Sequence, residues 1–377
     1  MTKFGVRLLT VARALASLAR PRGRVDAPVR RILVAHYLLL GDTILLAPLL
    51  KALASRYPDA ERVVLARPAV AALFATRPYG ATVLPFDRRD ADSRRRVIDS
   101  GPYDLAIVPD DNRYAWLARA AGARRVTGFA NDRPAWKNWM VDRAVPYPDA
   151  PGAWADIAAA RLGDAPSVEP FAPFEWLAPP AADFPLPTAP YAVLHVGAST
   201  PLKQWAAPRW RALADRLRDD GLRIVWSGGA GERRILDEIA IRDDEIDPLG
   251  VLDLAQLWRL LAGARILVCP DTGIAHLARV VRVPTVAMFG PGSSVVHGAG
   301  AFWADAPFRA VTVADFPCRD QHTLYRRDVP WVRRCGRRYD ATALPSGASD
   351  PDACGRALCM EAIDVETVVA AAAASLR

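Results

Sequence analysis

RILVCPDTGIAHLARVV, residues 265–281, opens as an apolar run, turns at Asp-Thr-Gly and continues with helical spacing. A short buried strand leading directly into a helix is the repeating unit of a parallel α/β sheet. Its neighbours repeat the pattern. YAVLHVG (191–197) predicts a strand, and APRWRALADRLRDDG (207–221) a helix with Trp210, Leu213 and Leu217 on one face. LRIVWSGG (222–229) predicts a strand, GERRILDEIAIR (231–242) and DLAQLWRLLAGA (253–264) helices, and PTVAMFG (284–290) a further strand. Residues 300–360 are arginine-rich and read as irregular, and DVETVVAAAAASLR (364–377) reads as a helix capped by Asp364.

The same alternation fills the first part of the chain. RILVA (31–35), RVVLAR (62–67), ATVLPF (81–86), YDLAIVPD (103–110) and RRVTGF (124–129) predict strands. RYAWLARAAG (113–122) predicts a helix ended by Gly122, and Pro48 suits a helix that begins after residue 46. Between about 145 and 190 proline and alanine dominate, which marks a connector with a short helix at 154–162. The expected division is a basic amphipathic segment (1–30), a Rossmann-like domain (31–175), a second Rossmann-like domain (185–345) and a closing segment with a helix (346–377). In such α/β sheets ligands bind at the C-terminal ends of the strands, so polar residues should gather at strand-to-helix turns.

Three turns meet that expectation. In LLLGDT a lone carboxylate, Asp42, follows the first crossover; it is either a helix cap or a base. In HVGASTPLKQW, Ser199, Thr200 and Lys203 lie just past a buried strand, placed to meet phosphate oxygens or, for Lys203, to be solvated in a loop. In CPDTGIAHLA, Asp271, Thr272 and Gly273 open a helix with His276 one turn in, a pattern suited to an anion or to ordinary capping. Neither a Walker loop nor a complete G-x-G-x-x-G is present, which disfavours a nicotinamide dehydrogenase.

At 377 residues, 51% hydrophobic and 24% charged, the chain has the composition of two globular domains. Its net charge of +8 favours anionic partners, and the absence of a recognition module argues against nucleic acid. No apolar run approaches the ~20 residues of a membrane span, and no secretory signal is legible. The N-terminal segment carries Phe4, Leu8, Leu9, Val11, Ala12, Leu15 and Leu18 among Arg7, Arg13 and Arg20. It reads as a basic amphipathic helix that lies on an anionic leaflet or packs on the first domain. Cys269 falls in a strand. Cys318, Cys335, Cys354 and Cys359 are separated by 16, 18 and 4 residues, which is not zinc-ribbon spacing; they are candidate metal ligands or free thiols.

Taken in order, GDTILLAPLLKAL, YDLAIVPDDNRYAWLARAAGARRVTGF, HVGASTPLKQW and PDTGIAHLA resemble glycosyltransferase family 9, the ADP-heptose:lipopolysaccharide heptosyltransferases. The resemblance covers roughly residues 30–290. It implies a GT-B architecture of two facing Rossmann-like domains, inverting transfer, and no required cofactor or catalytic metal. By the same resemblance Asp42 is the general base, and Lys203 neutralises the donor diphosphate. Ser199 and Thr200 lie near the phosphates, Asp271, Thr272, Gly273 and His276 bind the donor, and Glu232 aligns loosely with a ribose-binding acid. The implied partners are ADP-heptose, an acidic lipopolysaccharide core and the inner face of the inner membrane, with a cytoplasmic enzyme. The cysteine-bearing segment after 300 departs from the best-known members. It is similar to that of autotransporter protein heptosyltransferases, which carry a metal-bound cysteine motif. A non-catalytic sugar-nucleotide-binding protein is the remaining alternative.

Overall fold

The structure, a computed structural model, describes residues 3–19, 28–314, 316–344 and 352–377. Arg20, counted above with the basic N-terminal residues, lies outside them. The chain forms two units: one runs to Pro179 and takes in Thr323–Trp331, the other comprises Pro180–His322 and Val332–Arg377.

The first unit begins with α1 (Lys3–Leu18) and continues through β1 (Arg31–Val34), α2 (Leu40–Ile44), α3 (Ala47–Arg56), β2 (Glu61–Ala66), α4 (Pro68–Ala71), β3 (Ala81–Pro85) and α5 (Ala91–Asp99). It is completed by β4 (Leu105–Val108), α6 (Arg113–Ala120), β5 (Arg125–Phe129), β6 (Arg143–Val145) and α7 (Trp154–Leu162). The six strands run parallel in the order β3-β2-β1-β4-β5-β6. All four residues of β4 are buried, because helices cover both faces of a parallel sheet and leave no solvated side to alternate with. Pro48 stands in the first turn of α3, where its missing N–H is harmless. Val6, Thr10 and Ala14 form the buried face of α1, which packs on α5 and α6.

The second unit contains β7 (Tyr191–His195), α8 (Ala207–Asp219), β8 (Arg223–Ser227), α9 (Arg233–Ile239), α10 (Leu254–Gly263), β9 (Ile266–Pro270), α11 (Gly273–Val281), β10 (Thr285–Phe289) and β11 (Phe308–Thr312). Its parallel sheet has the order β11-β10-β9-β7-β8. Trp210 packs edge-on against Trp205 and Trp226, with ring centroids 5.3 and 6.4 Å apart, between α8 and the sheet. Two strands, β12 (Thr323–Leu324) and β13 (Arg327–Asp328), then form a small hairpin within the first unit. The pair β14 (Arg338–Tyr339) and β15 (Ala353–Cys354), followed by α12 (Leu358–Glu361) and α13 (Val365–Leu376), returns to the second. Asp364 caps α13, accepting from Thr367 N at 2.7 Å.

The reading of residues 300–360 as irregular is corrected by β11, the fifth strand of the second sheet. β6 was likewise missed. Both are edge strands, with two exposed residues in β6 and three in β11, so neither shows the apolar run that marked the central strands.

Both sheets have a switch point. In the first unit the chain builds outward from β1 to β3, then restarts at β4 on the other side of β1. In the second it moves from β7 to β8, then restarts at β9 on the other side of β7. Diverging crossovers leave a crevice at the C-terminal ends of those neighbouring strands.

Candidate active site

At the switch point of the second unit, the loop after β7 meets the turn after β9. Lys203 Nζ donates to the Asp271 carboxylate at 2.7 Å and to the Asp271 carbonyl at 2.9 Å. Burial pushes Asp271 up, but Lys203, His297 and Arg279 outweigh it and hold the carboxyl below its ordinary range. A Cβ on Gly292 would sit 2.2 Å from Asp271 Oδ2, so only glycine permits this approach. Thr272 takes the N-cap position of α11, yet its side chain makes no capping bond, and its buried Oγ1 has no hydrogen-bond partner. His276 is buried, kept neutral by desolvation and by nearby cations, and its Nδ1 is also without a partner. Two unpartnered buried polar atoms thus stand at a helix N-terminus beside Gly273, where backbone amides and the helix dipole favour an anion.

Ser199 is exposed on the same sheet edge, and Thr200 Oγ1 weakly accepts from Leu202 N at 3.4 Å. Glu232 is partly buried past the end of β8, one strand over from β7. The seven candidates of the second unit besides Lys203 thus lie on one edge of one sheet. Arg279 was not singled out from sequence. It is buried beneath the site, bonds the carbonyls of Gly298 (2.9 Å) and His297 (2.6 Å), and is lowered to about 9 by burial. Its only sequence signal is its position one turn after His276.

At the switch point of the first unit, Asp42 lies inside α2, where Leu39 holds the N-cap position and no side chain caps the helix. The capping alternative is therefore not realised. Instead the Tyr325 hydroxyl donates to Asp42 Oδ1 at 2.9 Å. Asp110, just past the end of β4, is buried with Oδ1 unpartnered. Burial raises its carboxyl to about 7; the charge of Asp111 adds to this, while the amides of Asp111 and Tyr37 and the Arg327 guanidinium oppose it. Arg327 is itself buried, donating to the carbonyls of Ala130 (2.9 Å), Phe129 (3.2 Å), Tyr325 (3.0 Å) and Asp110. Beneath them Lys137, wholly buried, pairs with Asp111 at 2.9 Å and Asp132 at 3.1 Å. Tyr325 and Arg327 come from a segment 283 residues beyond Asp42, and no local pattern identified them.

Cys269 is buried in β9. Cys318, Cys335, Cys354 and Cys359 gather in the second unit. Burial raises the Cys318 thiol, with Cys335 and Cys354 adding to it, and raises Cys359 to about 12, with Cys318 and Cys335 adding to that. Among the described residues, no group of three or more His, Cys, Asp or Glu side chains is arranged to hold a metal ion.

Two Rossmann-like units, each with its polar cluster at a switch point, define a two-domain α/β protein. Residues 93–306 match Glycosyltransferase family 9 (heptosyltransferase). The chain is 30% identical to Lipopolysaccharide heptosyltransferase 1 of Pseudomonas aeruginosa over 80% of its own length and 92% of the relative's. Among solved structures it is similar to the E. coli ADP-heptose lipopolysaccharide heptosyltransferase II (TM-score 0.67, 19% identity, 92% of this chain and 98% of that one). It is also similar to the E. coli heptosyltransferase WaaC with ADP-2-deoxy-2-fluoro heptose (TM-score 0.57, 20% identity, 74% of this chain and 92% of that one). The chain belongs to glycosyltransferase family 9, and its fold is of the GT-B class.

Proposed function

We propose that the chain transfers heptose from ADP-heptose, with inversion, to a hydroxyl of an acidic lipopolysaccharide core. The observation that carries this reading is the ligand-ready turn at α11: a lysine fixed on Asp271, a helix N-terminus, and two buried polar atoms left without partners. A leaving diphosphate gains negative charge as its bond to the sugar breaks. Lys203 and the free amides at Thr272 and Gly273 would stabilise that charge without a metal ion. Ser199, Thr200 and His276 line the phosphates, and Glu232 the ribose. Asp42 takes the proton of the acceptor hydroxyl as its oxygen attacks the anomeric carbon.

A position on the cytoplasmic face of the inner membrane is supported by α1. Phe4, Leu8, Val11, Leu15 and Leu18 form an exposed apolar row opposite its buried face. Among the described residues, no helix is long and apolar enough to cross a membrane.

The test is a panel of ADP-, GDP- and UDP-sugars read by thermal shift and product mass. ADP should protect the chain, and product should carry one added heptose on glycolipid. Asp42→Ala should abolish turnover while leaving the ADP-induced shift intact; near wild-type transfer would remove the base assignment. Heptose found on polypeptide instead of glycolipid would favour the protein-modifying alternative to which the clustered cysteines point.

A further inference from the structure

The hairpin that reaches Asp42 is built unlike an ordinary surface turn. β12 and β13 pair through Leu324 and Arg327, leaving Tyr325 and Arg326 as a two-residue connection. Both adopt left-handed backbone, with φ of 44° and 65°. Tight turns of this kind strongly favour Asn and Gly, because a Cβ crowds the backbone there. Here a tyrosine and an arginine occupy both positions, and strained backbone of this sort persists only where its surroundings over-determine it.

The surroundings do so. Arg327 spreads its guanidinium over carbonyls at the ends of β4 and β5, fixing one side of the turn. The Trp331 indole donates to the Pro148 carbonyl at 2.8 Å. The Tyr325 ring rests on Trp154, with centroids 5.0 Å apart and planes at 51°. What the strain achieves is a phenol delivered to a carboxylate. Burial, and then the charge of Asp42, push that phenol well above its ordinary range, so it remains protonated and acts toward Asp42 as a donor.

We propose that Tyr325 is a positioning residue for Asp42: the hairpin exists to hold its hydroxyl on Oδ1 and fix the orientation in which the carboxylate meets the acceptor hydroxyl. The inference rests on the reading of Asp42 as the base. During transfer the acceptor proton passes to the Asp42 carboxylate, the acceptor oxygen bonds to the anomeric carbon, and the diphosphate departs with the electrons of the broken bond. Tyr325 keeps its own proton throughout.

The test compares Tyr325→Phe, Asp42→Asn and the double variant, all as full-length chain with ADP-heptose and glycolipid acceptor. Phenylalanine keeps the packing on Trp154 and removes only the hydroxyl. Losing one hydrogen bond to a charged group should lower kcat about 10–100-fold, with donor KM and the ADP-induced shift unchanged and only a small drop in melting temperature. Added to Asp42→Asn, the change should have no further effect, because the two groups act through one bond. If Tyr325→Phe turns over at the wild-type rate while Asp42→Asn is inactive, the positioning role fails and the base stands. If Asp42→Asn is itself active, the base reading fails. If Tyr325→Phe loses activity together with the ADP-induced shift, Tyr325 is a packing residue and the proposal is overturned.

Discussion

Lys203 and Asp271 depend on each other. The carboxylate is nearly inaccessible, and the lysine, with His297 and Arg279 behind it, lets it stay charged. Removing one partner of such a pair leaves an uncompensated buried charge, a loss of about 3 kcal/mol or more. Lys203→Ala should therefore lower the melting temperature and erase the ADP-induced shift together, as differential scanning fluorimetry would show. Asp110 has the opposite character. Its folded value near 7 lies above the unfolded carboxyl value of about 4, so the native state binds its proton more tightly. Stability from this group is present at acid pH and lost as pH rises from about 4 through 7. Asp110→Asn should raise the melting temperature at pH 8 by about 2–4 °C, and the gain should shrink toward pH 5. A gain independent of pH would contradict the assignment.

At the level of elements, the turn into α11 shows how a helix start is given over to binding. Thr272 holds the capping position without capping, so its hydroxyl contributes little to the folded chain. Thr272→Val should leave melting within about 1 °C of wild type, or raise it, while weakening ADP roughly tenfold by isothermal titration. That outcome separates Thr272 from Lys203, where stability and binding fall together. The β12–β13 hairpin carries a second element-level prediction. Arg326 is exposed and left-handed, and glycine tolerates that backbone without strain. Arg326→Gly should stabilise the chain by about 0.5–1 kcal/mol in urea titration, with kcat unchanged.

Over the whole molecule, net charge and surface chemistry agree on an anionic partner. Within the first unit a cavity of about 460 Å³ is lined by Arg7, Arg88, Arg94 and Arg113, without a carboxylate, and by Trp116 and Trp136. Burial lowers Arg94, and Arg7 adds to the effect against Tyr114, while Arg113 pairs with Asp111 at 2.8 Å. Trp139 is 68% exposed and contacts Trp116, and Val11 belongs both to the cavity and to the apolar row of α1. Arginines beside exposed tryptophans and an apolar helix face suit the headgroup region of an anionic bilayer. Co-flotation should show the chain on phosphatidylglycerol vesicles and not on phosphatidylcholine alone. Binding should weaken between 50 and 500 mM salt and be lost with Leu8→Ser/Leu15→Ser. Dimers seen by light scattering, without vesicle binding, would assign the row to a second copy of the chain.

What the sequence determined by itself was local. The strand-turn-helix at 265–281 and its repeats gave two parallel sheets, because a buried strand and an amphipathic helix each write their period into adjacent residues. The order of four motifs places the chain in its family, and Asp42, Lys203 and the Asp271–Gly273 start stand out in the sequence as candidates at its strand-to-helix turns. Edge strands β6 and β11 escaped because half-solvated strands lack that apolar record. Tertiary structure alone decided the rest. That Asp42 is held by a tyrosine instead of capping a helix depends on a hairpin 283 residues away. That Thr272 Oγ1 and His276 Nδ1 lack hydrogen-bond partners, and that Asp110 is buried, depends on which atoms the fold brings near them. Such contacts are non-local, and a chain's periodicity carries no trace of them.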